Sequence, residues 1–258
     1  MGAAGVGWFL KSRAQDTPLT VYFYSPETNV NNFALIKGEF DTFLADHGGH
    51  KFQPFSDRAT FEQQVAANPR SLCLMSSWHC RLLAARQAME PLLVGRARGK
   101  STQKHLLFGR TKNPADLRGQ KVASGGTREF TLTLLLQILP GQQALVDSLK
   151  ILVVPKDIDA LMAVGFGAAK GAVATESGSD KLAKSNPKQR GELQQLGGGY
   201  ESLLPVLAGP KNTDDSMKKL AAIFRRMGDT GEGRSRLQLL GLEALTELDA
   251  TQKGRLKS

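Results

Sequence analysis

The sequence contains few cysteines and few aromatic residues, and it has no long apolar run. Two cysteines, Cys73 and Cys80, are too few for a disulfide-stapled domain or a four-cysteine zinc site. Aromatic residues make up 7% of the 258 residues, which argues against an aromatic-rich platform for nucleic acid. The apolar stretch at 2–10 is too short to span a bilayer, and no basic residue precedes it. It fits the remnant of an export signal or anchor, or equally a terminal extension without a structural role.

Positive charge is in surplus and is concentrated in one segment. Thirty-four Lys and Arg residues oppose 24 acidic residues, which gives a formal charge of +10. Six of the basic residues lie between Arg96 and Lys112, where the sequence has no acid. Such a run attracts anions, but neither stacking aromatics nor a DNA-binding motif accompanies it. A solvated basic loop is therefore favoured over a nucleic-acid site.

Strand and helix patterns alternate along the chain. TVYFYSP at 20–26 predicts a strand and turn, followed by a helix whose apolar residues recur every three or four positions. Further strand patterns lie at 51–55, 71–77, 105–109 and 150–155, with helical patterns between them. The alternation predicts an α/β fold with helices on both faces of its sheets.

Four segments are informative together: SLCLMSSWHCRLLA, NPADLRGQKVASGGT, DIDALMAVGFGAAKGAVATES and GDTGEGRSRLQLLGLEALTELDATQKGRL. They resemble, in order, segments of type II periplasmic solute-binding proteins, specifically the phosphate/phosphonate-type substrate-binding subfamily of ABC transporters. Each segment is mainly a pattern of glycine and apolar residues. Their shared order over residues 19–258 gives the resemblance its weight.

The resemblance implies a two-lobed α/β fold with a ligand cleft between the lobes. Lobe one would comprise residues 19–108 and 205–258, and lobe two would comprise residues 109–204. The hinge strands would lie at 106–112 and 200–210. Residues 1–18 would be the remnant of a signal or anchor, or a terminal extension. It further implies a monomeric periplasmic protein without a cofactor, a metal or enzyme activity, and without a nucleic-acid partner. Closure of the lobes on a small-molecule or lipid ligand would then be recognised by an inner-membrane transporter.

Four loops are expected to reach the cleft and to supply the ligand-binding residues. The candidates are Tyr24, Ser25, Glu27, Thr28 and Asn29; Ser76, Ser77, Trp78 and His79; Gly126, Thr127, Arg128, Glu129 and Phe130; and Thr175, Glu176 and Ser177. Capping of a helix that begins near Val30, by Ser25 or Thr28, explains the first group equally well.

The third loop bears on the identity of the ligand. In the phosphonate binders that this chain resembles, the corresponding turn is rich in Ser, Thr and Gly, so that it cradles an anion at a helix N-terminus. Here Arg128, Glu129 and Phe130 follow Thr127, and a carboxylate repels a phosphate. The sequence therefore favours a neutral, lipid or sterol-like ligand, although amines are compatible with the π face of Trp78 or Tyr24. Phosphate or phosphonate is the alternative, which regains weight if Glu129 points to solvent on the first helical turn.

Two other classes of function stay open at this point. The fold also serves as a ligand-sensing input domain of receptors, for which a fused signalling domain would be the evidence. An enzyme on the same fold would need a clustered acid and base, which the sequence does not show. His79 and Cys80 are adjacent on a predicted helix, so their side chains point roughly 100° apart and form no nucleophile and base pair unaided.

Overall fold

Strands rich in β-branched and aromatic residues assemble into two sheets of six strands each. The computed structural model describes residues 18–256. The strands are β1 Thr20–Tyr24, β2 Lys51–Pro54, β3 Leu72–Met75, β4 Met89–Arg96, β5 Thr102–Gly109, β6 Lys121–Ser124, β7 Lys150–Val153, β8 Gly171–Thr175, β9 Gln194–Gln195, β10 Tyr200–Leu203, β11 Val206–Pro210 and β12 Ala244–Glu247. The helices are α1 Phe33–Ala45, α2 Arg58–Ala67, α3 Ser77–Gln87, α4 Arg128–Ile138, α5 Gln143–Ser148, α6 Asp157–Gly165, α7 Glu176–Ser185, α8 Pro187–Gly191, α9 Asp215–Arg226, α10 Gly231–Leu239 and α11 Ala250–Arg255.

Each sheet combines parallel strands with antiparallel ones. The first has the order β12-β4-β11-β3-β1-β2, in which β1 runs parallel to β2 and β3, and β11 runs antiparallel to β3 and β4. The second has the order β10-β5-β8-β6-β7, with β9 also paired to β5. Helices cover both faces of both sheets, and four clusters of buried apolar residues lie between the helices and the sheets. The α/β class and the two-lobed fold are thus confirmed.

The chain passes twice between the sheets. It leaves the first sheet after β4 and enters the second at β5, so the outward crossing lies at 97–101. It returns between β10 and β11, at Leu204 and Pro205. The return agrees with the hinge expected near 200–210, whereas the outward crossing precedes the expected 106–112. The lobe boundaries drawn from the sequence stay a prediction, and the sheets favour an earlier first boundary.

The two cysteines lie in the interior of the first lobe. Cys73 and Cys80 are both free thiols, and burial raises the pKa of Cys80 to about 12. Within the described range 18–256, no group of three or more His, Cys, Asp and Glu side chains is placed to hold a metal. No helix in that range has the length and apolar character needed to cross a membrane. The predicted signal or anchor remnant lies outside the described residues, apart from Pro18.

Candidate ligand-binding cleft

The first strand leads into a short turn that carries a buried acid. Ser25 precedes a single 3-10 turn, Pro26–Thr28, which ends at Asn29 with φ 53° in the left-handed region that Asn tolerates. Glu27, at the centre of the turn, is only 5% exposed. The predicted capping of a helix near Val30 by Ser25 or Thr28 is wrong, because α1 begins at Phe33 and Asn32 caps it, its side chain accepting from the Leu35 N–H at 2.9 Å.

Three neutral donors of the first lobe converge on the Glu27 carboxylate. The Ser25 hydroxyl donates to it at 2.9 Å, the Trp78 indole N–H donates at 2.8 Å, and the Ser76 hydroxyl forms a short hydrogen bond to it. Ser76 follows the end of β3, and Trp78 lies in the first turn of α3, so strand and helix present both groups to the turn. We call Ser25, Ser76 and Trp78 the cradle.

Aromatic rings from the two lobes meet at the centre of the cleft. The Trp78 indole stacks on Phe130 of α4, with ring centroids 5.0 Å apart and an interplanar angle of 19°. His105 of β5 contacts the edge of the same phenyl ring at 6.1 Å. Glycine at 126 permits this packing, because a Cβ there would come within 2.6 Å of Phe130. The stacked rings occupy the space in which an apolar ligand was expected.

A second buried acid, which no sequence pattern indicated, lies close to Glu27. Asp157 begins α6 and accepts from the Thr175 N–H at 2.8 Å. Burial, and then the charge of Glu27, raise the pKa of Asp157 to about 7. Burial lowers the pKa of His105, an effect that Glu27 opposes. Two acids and an imidazole therefore share one desolvated space between the lobes.

The turn also fastens the lobes to each other. The Asn29 side chain accepts from the Ile158 N–H at 2.8 Å, and Lys156 donates to the Asn31 side chain at 2.8 Å. Lys181 of α7 donates to the Thr28 carbonyl at 2.5 Å. These hydrogen bonds, together with the stacked rings, hold the lobes in contact.

Open space remains beside this filled centre. A cavity of 420 Å³, here called the basic cavity, lies between the turn, the crossing segment with the start of β5 (97–104), and α7. Its charged lining residues are Arg98, Lys100, Lys104, Lys181 and Lys184 on the basic side, and Glu27, Glu176 and Asp180 on the acidic side. Gln103 also lines the cavity, and its buried side-chain nitrogen has no hydrogen-bond partner. A smaller cavity of 240 Å³ adjoins Tyr24, Arg58 and residues 125–127.

Part of the Arg96 to Lys112 run lies beside the cleft, a position that the sequence alone left open. The interpretation as a solvated loop is correct for the exposure of Arg98 and Lys100. Both residues and Lys104 also line the basic cavity. The residues of α7 that complete this lining are about 80 positions away in the sequence. Glu176 and Ser177 were among the candidates, whereas Asp180, Lys181 and Lys184 were not.

The other candidates divide between the interior of the lobes and the solvent. Tyr24 packs against Phe61 inside lobe one, and the His79 ring lies against Tyr24 while its Nε2 contacts the Glu62 carboxylate at 3.0 Å. Ser77 donates to the Leu203 carbonyl at 2.9 Å. His79 and Ser77 are therefore engaged with groups of the protein itself.

The candidates of lobe two are mainly helix caps and surface residues. Thr127 caps α4 and Thr175 caps α7. Arg128 and Glu129 are exposed. The Glu129 carboxylate accepts hydrogen bonds from the Glu129 backbone N–H and from the Thr127 side chain, which lower its pKa. Glu176 and Ser177 are exposed and line the basic cavity.

This arrangement does not support the expectation of a lipid or sterol-like ligand. It depended on Glu129 and Phe130 lining an apolar cleft, but Glu129 points to solvent and Phe130 is stacked on Trp78. Trp78 is 6% exposed, so its π face is not available to an amine while the lobes are in contact. The exposed position of Glu129 removes its objection to an anionic ligand, whereas Glu176 lines the basic cavity.

Comparison with known proteins gives a consistent result. Residues 40–252 match the model of the family described as "ABC transporter, phosphonate, periplasmic substrate-binding protein". No curated protein sequence is a significant match.

Solved structures with the same fold are numerous, and three cover most of the chain. A binding-protein component of an ABC phosphonate transporter from Pseudomonas aeruginosa has a TM-score of 0.72 at 17% identity, over 92% of this chain and 83% of that chain. PhnD1 from Prochlorococcus marinus in complex with methylphosphonate has a TM-score of 0.70 at 11% identity, over 92% and 95%. XAC2383 from Xanthomonas citri bound to ATP has a TM-score of 0.70 at 14% identity, over 93% and 94%.

The family match covers most of the chain, and the two-lobed architecture agrees with it. Members of such a family bind a solute for a membrane transporter and are not enzymes. The chain belongs to the family of periplasmic substrate-binding proteins of phosphonate ABC transporters.

Proposed function

We propose that the protein captures a small solute with a phosphonate or phosphate group in the basic cavity and delivers it to a membrane transporter. The observation that carries the proposal is the lining of the cavity, in which five basic side chains face three acidic ones. One of those acids, Glu27, is already engaged by the cradle. The monomeric state expected from the sequence stays a prediction.

The size of the cavity and its free donors support a small anion. A volume of 420 Å³ falls within the range of about 300–1,000 Å³ that is usual for small-molecule sites. The buried Gln103 side-chain nitrogen is a donor without an acceptor, which a phosphoryl oxygen would satisfy once the side chain turned toward the cavity. The solutes named for two proteins of the same fold, methylphosphonate and ATP, both carry phosphorus oxyanions.

Lys184 offers a direct test, because it lines the cavity from an exposed position. Titration calorimetry at low ionic strength would use methylphosphonate, inorganic phosphate and ATP. We expect Lys184→Glu to weaken binding of the preferred ligand about 10-fold, since it reverses a charge beside the anion.

Lys188→Glu is the matched control. Lys188 is also exposed, lies on the neighbouring helix α8 and does not line the cavity, so we expect binding within about 2-fold of the wild type. Equal effects of the two substitutions would show that only the net charge of the protein matters. Failure of all three anions to bind would overturn the proposal.

A further inference from the structure

The turn after β1 holds a carboxylate in the way that a binding protein holds the anionic group of its solute. Glu27 is buried, and the three groups that hold it are neutral hydrogen-bond donors. Two of these donors, Ser76 and Trp78, lie about 50 positions away in the sequence. Burial of a charge is costly unless hydrogen bonds replace its hydration, and here the cradle supplies them.

The cradle supplies the direct hydrogen bonds that are recorded for the Glu27 carboxylate. Asp157 is the closest acid across the cleft, and the Glu27 charge raises the pKa of its carboxyl. Lys181, the basic residue closest to the turn, donates to the Thr28 carbonyl rather than forming an ion pair with Glu27. The cradle therefore binds the carboxylate through directed hydrogen bonds from neutral groups rather than through an ion pair.

Glu27 belongs to a short turn rather than to a long helix or a strand. It lies in a single turn of three residues between Ser25 and Asn29. It also lines the basic cavity, so the cradle and the cavity meet at this side chain. An anion in the cavity would be next to the cradle if the turn moved aside.

We propose that Ser25, Ser76 and Trp78 form an anion-binding site that the Glu27 carboxylate occupies as an internal ligand. A small carboxylate or phosphonate takes the same site when Glu27 leaves it. This goes beyond the function proposed above, because the cradle donors are not lining residues of the basic cavity.

Occupation of the cradle is coupled to the contact between the lobes. The residues that follow Glu27 are Thr28, Asn29 and Asn31, and each accepts a hydrogen bond from lobe two. A ligand that displaced Glu27 would have to move the turn on which these hydrogen bonds depend. With Glu27 in the cradle, the arrangement in which the lobes are in contact is therefore favoured even in the absence of a solute.

Chemical complementation tests the proposal. Glu27→Ala removes the carboxylate and leaves the three donors, and thermal unfolding of the full chain is followed with increasing sodium acetate, sodium formate and methylphosphonate. We expect a saturable rise in the melting temperature of several degrees, with half-saturation at roughly millimolar concentration. Sodium chloride at equal ionic strength controls for general salt effects.

The wild type and Glu176→Ala are the comparison proteins. Glu176 also lines the basic cavity, but it is exposed, so its removal vacates no buried site. We expect acetate and formate to shift neither protein beyond the chloride control. Absence of a response in Glu27→Ala, or an equal response in the wild type, would overturn the proposal.

Glu27→Gln keeps the test valid if the alanine variant does not fold. Glutamine keeps the volume and one acceptor oxygen but loses the charge, so an added carboxylate competes with it better than with glutamate. We expect a saturable response to acetate in this variant and none in Glu176→Gln. Absence of a response in Glu27→Gln would contradict the internal-ligand role.

The outcome is separable from that of the proposed function. A response of Glu27→Ala to acetate, together with a wild type that binds no phosphorus oxyanion, would support the cradle and refute the basic cavity. Binding of methylphosphonate by the wild type, weakened by Lys184→Glu, with no acetate response in Glu27→Ala, would do the reverse.

Discussion

The centre of the cleft and the basic cavity lie side by side between the same lobes but differ in how their polar groups are satisfied. At the centre, hydroxyl and indole donors are used by Glu27, and Phe130 covers the indole. In the basic cavity the cationic side chains surround 420 Å³ of open space, and an amide nitrogen lacks a partner. A residue type suited to ligand binding is therefore no evidence of a free site, because neighbouring groups of the same chain can satisfy it.

The difference also separates effects on stability from effects on binding. Buried hydrogen bonds at the centre contribute to the free energy of unfolding, because their loss leaves polar atoms desolvated. Exposed charges around the basic cavity contribute little to stability and act on ligands through a screened field. Substitutions at the centre should therefore lower stability more than those at the cavity.

Trp78→Ala should have the largest effect on stability. It removes a large buried ring and its stacking with Phe130, and it takes one donor from a buried carboxylate. We expect a loss of about 3–5 kcal/mol in the free energy of unfolding, measured by urea denaturation. Phe166→Ala, at a ring that is 75% exposed, should change it by less than about 0.5 kcal/mol. Similar effects of the two substitutions would contradict the description of the centre as a packed, hydrogen-bonded core.

Asp157→Asn should change the dependence of stability on pH. The folded-state pKa of about 7 is above the ordinary value of 3.8, so the native state favours the protonated acid. Its contribution to stability is fully present below pH 3.8 and is lost as the pH rises through about 7. Asparagine does not titrate and keeps an acceptor for the Thr175 N–H, so we expect the variant to lose less stability than the wild type over this interval.

Urea denaturation at several pH values between 4 and 8 would measure this difference. Asp159→Asn, on the same helix but not buried, is the control and should follow the wild type. If Asp157→Asn also followed the wild type, burial beside Glu27 would not raise the pKa of Asp157 in the folded protein, and this part of the description would be wrong.

Asp180→Ala should have the smallest effect on stability. Asp180 lies 3.6 Å from Arg98 across the basic cavity, and both side chains are more than half exposed. Exposed pairs of this kind contribute about 0–1 kcal/mol, so we expect a change below about 0.5 kcal/mol. The same variant should bind the anion of the basic cavity more tightly, because one of its three acids is lost. Calorimetry would test this, and weaker binding would contradict the charge argument.

The alternation of strands and helices could be predicted from the sequence because apolar periodicity is local. The strand β4, Met89–Arg96, was missed, since Pro91 interrupts its pattern and its end merges with the basic run. Pro91 is tolerated beside a register shift in the pairing of β4 with β11.

The candidate site was less predictable because its contacts join distant positions. Ser25, Glu27, Ser76 and Trp78 were selected individually, but the sequence did not indicate that they satisfy one another. Asp157 and Lys181 carry no motif, and they reach the turn only because the chain has crossed from the first sheet to the second. Such partners depend on tertiary packing, which a single sequence does not display.

Small-angle X-ray scattering of the solute-free protein tests the central claim most directly. If Glu27 acts as an internal ligand and the turn fastens the lobes, the scattering curve should match lobes in contact, and methylphosphonate should not reduce the radius of gyration. A larger radius without solute that decreases on addition of methylphosphonate would contradict the account, because the solute rather than the chain itself would then close the cleft.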